Sequence, residues 1–415
     1  MIFIMSELRE KKEDRKYLFI LAGFACVCVL YYYEGRMNVQ NTTAYLFSYE
    51  YGFIARGFIG TILDYILKMI HWHLTYRGAM IVSGVATIVY FVSLFFLYAT
   101  CLKKTTDITT KKMLRIMIIL VSIIAFPMFL TWNNFGRLDE YLWILTIWAL
   151  TLLVTEKVEW LIVPICMVAC LIHEGFVFTN SGIILAVLLW KVLTKSKQEQ
   201  KKYLAIFIIT FASLTVIFLY ITFGRHPIAQ SGYDVIVSEA QRLADEGGNT
   251  KNFNDAYSLL KSELLLQSVY QDESAWHRVN AIETPIATIL LLPIIVLGIK
   301  ILVTLTCKKE TLRVNLANWT VALGVITVIP ELVLKVDFGR WFFCIFMYYL
   351  LIFLVMMTMH NEQVICAVKT IYQKHETNDL WWCGLFLYVL IFMPFRDVYI
   401  SDVSTKILEV VTRII

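Results

Sequence analysis

Long apolar stretches recur along the whole chain, and they constrain its fold more than any other feature. About eleven such runs, each near the thickness of a bilayer's hydrocarbon core, are separated by short polar segments. With 59% apolar and only 17% charged residues, the chain has too little polar surface for a soluble globule of 415 residues. The sequence predicts an all-α, polytopic integral membrane protein with about eleven transmembrane helices. They cover 17–33, 79–102, 113–131, 141–155, 160–172, 175–193, 203–224, 285–306, 316–336, 341–359 and 380–395.

The placement of lysine and arginine predicts the orientation of these spans. Short cytoplasmic loops are enriched in basic residues, and basic residues precede the first span and follow every even-numbered one, as at Lys103 and Lys104. The exits of the odd-numbered spans carry few. We therefore expect a cytoplasmic N-terminus, a C-terminus outside and a single membrane domain over residues 1–415. The first run is expected to remain as a span, because no small-residue cleavage site follows it.

Two predicted outer loops are long. The first, 34–78, contains a semi-apolar piece at 53–70 that is expected to lie in the membrane interface or to dip in and return. The second, 225–283, is a large extracytoplasmic loop with helical periodicity at 233–244 and 253–270. The breaker Glu246-Gly247-Gly248-Asn249 separates those two segments. This pattern predicts a hinged helical lid.

Three arginines lie at outer turns of the predicted topology, and each has a glycine beside it. They are Arg56, Arg137 and Arg340. A single arginine near a helix end usually reaches for lipid headgroups, so each alone has an ordinary structural explanation. Three of them on one face suit an anion with several oxygens, because guanidinium binds phosphate bidentately and stays charged.

Carboxylates and one histidine accompany these arginines on the same predicted face. Asp139 and Asp337 could be structural partners of Arg137 and Arg340. His173 and Glu174 occupy a connection with almost no loop, where partial desolvation is expected to move the pKa of one of them toward neutrality, as suits a general base. The predicted catalytic residues are His173, Glu174 and Asp139, and the predicted substrate-binding residues are Arg56, Arg137, Glu140, Asp337 and Arg340.

Several kinds of site are absent from the sequence. His173-Glu174 does not continue into His-Glu-x-x-His, and neither a phosphate-binding Gly-x-x-x-x-Gly-Lys-Ser/Thr loop nor a Gly-x-Ser-x-Gly motif occurs. The nine cysteines lie within the apolar runs or near their basic ends, which indicates neither a disulfide framework nor a zinc site. We expect no metal, no cofactor and no nucleic-acid partner.

The chain resembles bacterial envelope polysaccharide proteins, namely the Wzy-type repeat-unit polymerases with their EpsG-like group and the related C-type (GT-C) membrane glycosyltransferases. The resemblance covers the whole chain as architecture. Its motifs are the outer-face segments Phe53-Ile54-Ala55-Arg56-Gly57-Phe58-Ile59-Gly60, Gly136-Arg137-Leu138-Asp139-Glu140, His173-Glu174 and Asp337-Phe338-Gly339-Arg340. The resemblance implies a multi-pass protein of the bacterial cytoplasmic membrane that acts on polyprenyl-linked saccharides and works with other polysaccharide-assembly proteins.

The leading functional expectation is inverting glycosyl transfer on polyprenyl-diphosphate-linked glycans during polymerisation of a capsule, exopolysaccharide or O-antigen. The arginines would neutralise the departing diphosphate, and His173, Glu174 or Asp139 would accept the proton. A C-type transferase using a polyprenyl-monophosphate sugar is an alternative, although the first loop has only separated acidic residues where such enzymes usually carry a paired motif. A secondary transporter or lipid-linked glycan flippase is another, and it predicts internal repeats and interrupted helices. Membrane acyl transfer is a weaker one.

Overall fold

The protein is described from a computed structural model that covers residues 2–248, 253–266, 273–307, 310–334, 337–395, 400 and 402–414. It is 82% helical, and no strand occurs among the described residues, so the predicted all-α class is confirmed. The first helices are α1 Ile2–Tyr32, α2 Val39–Ala44, α3 Gly57–Met69, α4 Tyr76–Lys104, α5 Ile108–Met128, α6 Asp139–Thr155, α7 Ile162–Ile172, α8 Phe176–Thr179, α9 Ser181–Thr194 and α10 Lys197–Phe223. The remaining ones are α11 Gln230–Glu246, α12 Phe253–Leu264, α13 Glu273–Thr306, α14 Leu312–Leu323, α15 Ile329–Leu334, α16 Phe338–Thr358, α17 Glu362–His375, α18 Asp379–Phe392 and α19 Asp402–Ile414.

Six helical segments among the described residues are long and apolar enough to cross a bilayer: Lys12–Tyr32, Tyr76–Lys104, Lys197–Phe223, Ala281–Thr306, Leu312–Val333 and Phe338–Thr358. Shorter apolar helices accompany them at Glu159–Ile172, Ser181–Thr194 and Asp379–Phe392. Each of the predicted apolar runs is mainly helical where it is described. The chain is therefore a helical, membrane-embedded protein.

The helices differ in how much apolar surface they turn outward. The α16 helix lies in the centre, where Phe343 packs edge-to-face on Trp143 of α6, with ring centroids 5.5 Å apart. By contrast, α4 and α13 expose apolar side chains such as Ile81 (67% exposed) and Ile289 (70% exposed). A surface this apolar needs lipid around it, because water would penalise its exposure.

The two long loops fold onto each other as a helical cap, which we define as α2, α3, α11 and α12. An apolar cluster joins them, with Phe47 and Ile54 from the first loop packed against Ile236 of α11 and Leu260 of α12. The predicted breaker is present, since α11 ends at Glu246 and Gly248 has a φ of +65°. The second predicted segment is helical as far as Leu264, and residues 267–270 lie outside the described residues.

Two helices are interrupted where they meet. Asn180 separates α8 from α9, and a 3₁₀ segment, Gly324–Val328, separates α14 from α15. Gly182 lies directly against the carbonyl oxygen of Gly324, and a side chain at position 182 would collide with it. Glycine at this position therefore allows the two broken helices to approach closely.

Candidate functional site

One cavity of about 530 Å³ brings together all of the predicted site residues except Glu140. Its volume falls within the range of small-molecule sites. The lining comes from the cap, from α8 with the turn before it, from α15, from the starts of α6 and α16 with the turns before them, and from the end of α10. The lining residues that carry charge are Arg56, Arg137, Asp139, Glu174, Arg225, Glu263, Glu331, Asp337 and Arg340.

Unusual backbone conformations position Arg56 and Arg137, the two site arginines that come first in the chain. Arg56 immediately precedes α3 and has a left-handed φ of 63°, a conformation that is uncommon for a residue with a side chain. Gly136 precedes Arg137 with a φ of +82°. A Cβ there would lie 2.8 Å from both Met37 Sδ and Ser83 Oγ, so glycine is needed for conformation and for space.

The first set of ion pairs joins the turn before α6 to the start of α16. Arg340 Nη2 donates to Asp139 Oδ1 at 2.7 Å, and Arg340 Nη1 donates to Asp337. Arg137 lies 3.3 Å from Asp139 and 3.7 Å from Asp337. The Arg340 side chain is only 9% exposed. We call Arg137, Asp139, Asp337 and Arg340 the tight quartet.

The second set is looser and reaches into the cap. Arg56 Nη2 lies 3.6 Å from Glu174 Oε1 and 3.6 Å from Glu263 Oε1, both beyond hydrogen-bonding distance. Arg225 Nη1 donates to Glu263 Oε2 at 2.8 Å. Arg56 Nε is buried and has no hydrogen-bond partner among the described residues. We call Arg56, Glu174, Arg225 and Glu263 the loose quartet.

His173 lies beside the loose quartet, and its hydrogen bonding fixes its tautomer. The backbone N–H of Gly175 donates to His173 Nδ1 at 2.9 Å, so the neutral ring carries its proton on Nε2. Burial lowers the pKa of His173 to about 4. The expected shift toward neutrality is therefore wrong, because the His173 side chain is only 14% exposed and the effect of its burial exceeds the opposing effect of Glu174. With Nδ1 occupied, His173 is placed to donate a hydrogen bond rather than to accept a proton.

Three carboxylates of the cavity, Asp139, Glu174 and Asp337, are ionised at neutral pH. Burial alone would raise the pKa of Glu174, but neighbouring positive charges lower it to about 2: His173 where its ring is protonated, and Arg56 at every pH. Burial opposes ionisation of Asp139 and Asp337 in the same way, and Arg340 followed by Arg137 brings the pKa of both below the ordinary range. For Glu174 too, the pKa moves away from neutrality. These carboxylates are poised to accept hydrogen bonds from hydroxyl groups.

Comparisons of this chain with protein-family models, curated proteins and solved structures gave no match. The chemistry of the cavity is therefore the basis for a functional proposal. Four guanidinium groups and five carboxylates line it, so its charged groups leave one excess negative charge when all are ionised. Within the described part of the chain, no three His, Cys, Asp or Glu side chains are grouped as metal ligands.

Glu140 does not line the cavity, although the sequence placed it among the substrate-binding residues. It follows Asp139 on α6, and successive residues of a helix point about 100° apart. Asp139 therefore faces the cavity while Glu140 is 0% exposed in the interior, with no hydrogen-bond partner for either carboxyl oxygen among the described residues. A position next to a site residue did not predict the direction of the side chain.

Arg225 and Glu263 belong to the site but were not selected from the sequence. Arg225 follows Gly224 at the end of α10, which repeats the glycine–arginine pattern of Gly136-Arg137 and Gly339-Arg340. That pattern could have identified it. Glu263 lies within the regular helix α12, where nothing in the local sequence distinguishes it from a solvent-facing residue.

Proposed function

We propose that this chain transfers glycosyl groups between polyprenyl-diphosphate-linked glycans, as a repeat-unit polymerase of a bacterial capsule, exopolysaccharide or O-antigen. The observation that carries the proposal is the convergence of Arg56, Arg137 and Arg340 from three distant turns on one cavity that also holds ionised carboxylates. Guanidinium groups suit a departing diphosphate. Carboxylates suit the hydroxyl groups of a sugar, which donate hydrogen bonds to them.

In this mechanism, a hydroxyl oxygen of the acceptor glycan attacks the anomeric carbon of the donor. The bond from that carbon to the diphosphate breaks, and its electron pair leaves on the polyprenyl diphosphate, whose charge the arginines offset. The hydroxyl proton passes to a carboxylate. Glu174 is the proposed acceptor, because it is ionised and its contact with Arg56 is loose. His173 donates from Nε2 to the sugar or to the diphosphate.

The proposed topology has eleven spans, a cytoplasmic N-terminus and the cavity at the outer face of the bacterial cytoplasmic membrane. This topology is supported by the helix ends that meet at the cavity. The starts of α6 and α16 and the end of α10 line the cavity, and all three are outer ends in this topology. The opposite ends of α6, α9 and α10 share a second polar cluster, in which Lys191 bonds Glu156 at 2.9 Å. That cluster corresponds to the predicted basic, cytoplasmic side.

The test is transfer by the purified full chain in lipid nanodiscs, supplied with polyprenyl-diphosphate-linked oligosaccharides from its source organism. A ladder of lengthened glycans is expected. Arg137→Lys and Arg340→Lys should fold but lose most product, because lysine keeps the charge and lacks the bidentate geometry. The matched control is Arg36→Lys, which changes an arginine that is 55% exposed and paired with Glu34. If the chain instead adds a single sugar from a polyprenyl-monophosphate donor, it is a C-type transferase and not a polymerase. Unchanged glycans with every donor would refute glycosyl transfer.

A transporter or glycan flippase is the second candidate, and the two interrupted helices favour it. Interrupted helices beside a substrate cavity are typical of secondary transporters. Here Phe178 and Thr179 of α8 line the cavity, as do Pro330 and Glu331 of α15. Movement of an unaltered lipid-linked glycan across proteoliposomes, with no new glycosidic bond, would support this candidate over the first.

A further inference from the structure

Two arginines lie on either side of a single carboxylate. Arg56 approaches Glu263 Oε1 to 3.6 Å, and Arg225 donates to Glu263 Oε2 at 2.8 Å. Paired guanidinium groups that face one set of oxygens are well suited to phosphate, because each offers several N–H donors in a fixed plane. In this structure, a side chain of the protein itself occupies the position between them.

Arg56 makes fewer hydrogen bonds than its surroundings would lead one to expect. In the part of the chain that the structure describes, its buried Nε has no partner, and its ion pairs with Glu174 and Glu263 are both too long to be hydrogen bonds. Arg340 of the tight quartet, in contrast, donates to two carboxylates. An anion that replaces Glu263 beside Arg56 would therefore gain donors that now have none, whereas an anion at Arg340 would have to break bonds already made.

We infer that Arg56 and Arg225 form a phosphate-binding subsite, and that Glu263 occupies it until a phosphate group displaces its carboxylate. The inference rests on the proposed function only for the source of the phosphate, which would be a lipid-linked diphosphate. A soluble phosphate has the same chemistry. Because Glu263 belongs to α12, the displacement links binding in the cavity to the cap.

The role of Glu263 can be tested without any turnover assay. The full chain is purified in a maltoside detergent free of phospholipid, and binding of inorganic diphosphate is measured by titration calorimetry. Glu263→Gln should bind diphosphate about tenfold more tightly than the wild type, since a charge-assisted bond no longer competes. Arg56→Lys and Arg225→Lys should each weaken binding about tenfold.

The matched control is Glu331→Gln, which removes another carboxylate from the lining of the same cavity, on α15 rather than on the cap. It should tighten binding far less than Glu263→Gln does. Equal tightening in both variants would overturn the inference, because it would show a general effect of charge. Absence of diphosphate binding by both the wild type and Glu263→Gln would overturn it as well. If Glu263→Gln does not fold, Glu263→Asp keeps the charge and withdraws the carboxylate, and intermediate tightening is expected.

A second arm identifies the source of the phosphate. Polyprenyl diphosphate added to the same detergent solution should compete with inorganic diphosphate and bind more tightly, if the ligand is lipid-linked. Tighter binding of the inorganic ion would assign the subsite to a soluble phosphate and would contradict the lipid-linked source. Glycosyl transfer is measured separately. If no transfer occurs but Glu263→Gln still tightens diphosphate binding, the proposed function alone is refuted. If transfer occurs but Glu263→Gln does not tighten diphosphate binding, this inference alone is refuted.

Discussion

Acidification should destabilise the folded protein through His173 before it affects the carboxylates of the cavity. Burial lowers the pKa of His173 from 6.5 to about 4, so the folded state keeps this ring neutral where an unfolded chain would protonate it. Its contribution to stability is complete above pH 6.5 and is lost as the pH falls toward 4. One pH unit corresponds to about 1.4 kcal/mol, which gives a loss of about 2 kcal/mol at pH 5.

The assay is thermal unfolding of the detergent-purified chain between pH 7.5 and pH 5, comparing the wild type with His173→Asn. Asparagine keeps an acceptor for the Gly175 N–H and cannot be protonated. The unfolding midpoint of the wild type should therefore fall more steeply on acidification. Glu174 does not interfere in this range, because its stabilising charge is lost only below its ordinary pKa of 4.5. His73→Asn, at an exposed position, is the matched control. Parallel pH profiles for wild type and His173→Asn would refute the buried, neutral histidine.

Three further outcomes are expected. Gly60→Ala should lower the free energy of unfolding by about 1–3 kcal/mol, because the new Cβ would collide with the Phe47 carbonyl. The control Gly84→Ala should be neutral or stabilising, because nothing lies within 4 Å of its Cβ position. Equal effects of the two changes on thermal stability would contradict this packing. Glu140→Gln should be at least as stable as the wild type at pH 7, since it removes an acid whose buried oxygens have no hydrogen bond within the described residues. A clear loss of thermal stability would contradict this. In a cysteine-depleted background, a cysteine at Asn133 should react with an impermeant maleimide from outside, and one at Thr105 only after permeabilisation; the reverse result would invert the proposed topology.

The sequence predicted the all-α, membrane-embedded class, and the cavity brings together most of the residues selected from the sequence. An apolar run of bilayer length forms a helix in almost any context, since its backbone must satisfy its own hydrogen bonds in lipid. Alternate connections of a multi-pass chain lie on the same face. Arg137 and Arg340, separated by about two hundred positions, thus meet through the shared carboxylate of Asp139.

What the sequence could not predict depends on the direction and bonding of individual side chains. The inward orientation of Glu140 follows from the rotation of α6 against its neighbours, and no local pattern fixes that rotation. The pKa of His173 depends on its burial and on the charges of Glu174, Arg56 and Asp139, which no local pattern around His173 reveals in full. Glu263 reaches Arg56 only because α12 folds back onto α2, a contact between loops that are far apart in the chain.

The cavity has more carboxylates than guanidinium groups, and this excess limits how an anionic substrate can bind in it. The sequence has arginines at three separate predicted outer turns, which suggests a phosphate site with uncompensated positive charge. In the structure, however, every arginine of the cavity lies near a carboxylate. A diphosphate must therefore displace an acidic side chain or bind where the existing bonds are weakest. In the tight quartet, the bonds of Arg340 resist displacement because they are short and its side chain is only 9% exposed. In the loose quartet both contacts of Arg56 are 3.6 Å long, so under the inference above a diphosphate first binds at Arg56 and Arg225, and Arg137 and Arg340 offset its charge as the bond to the sugar breaks.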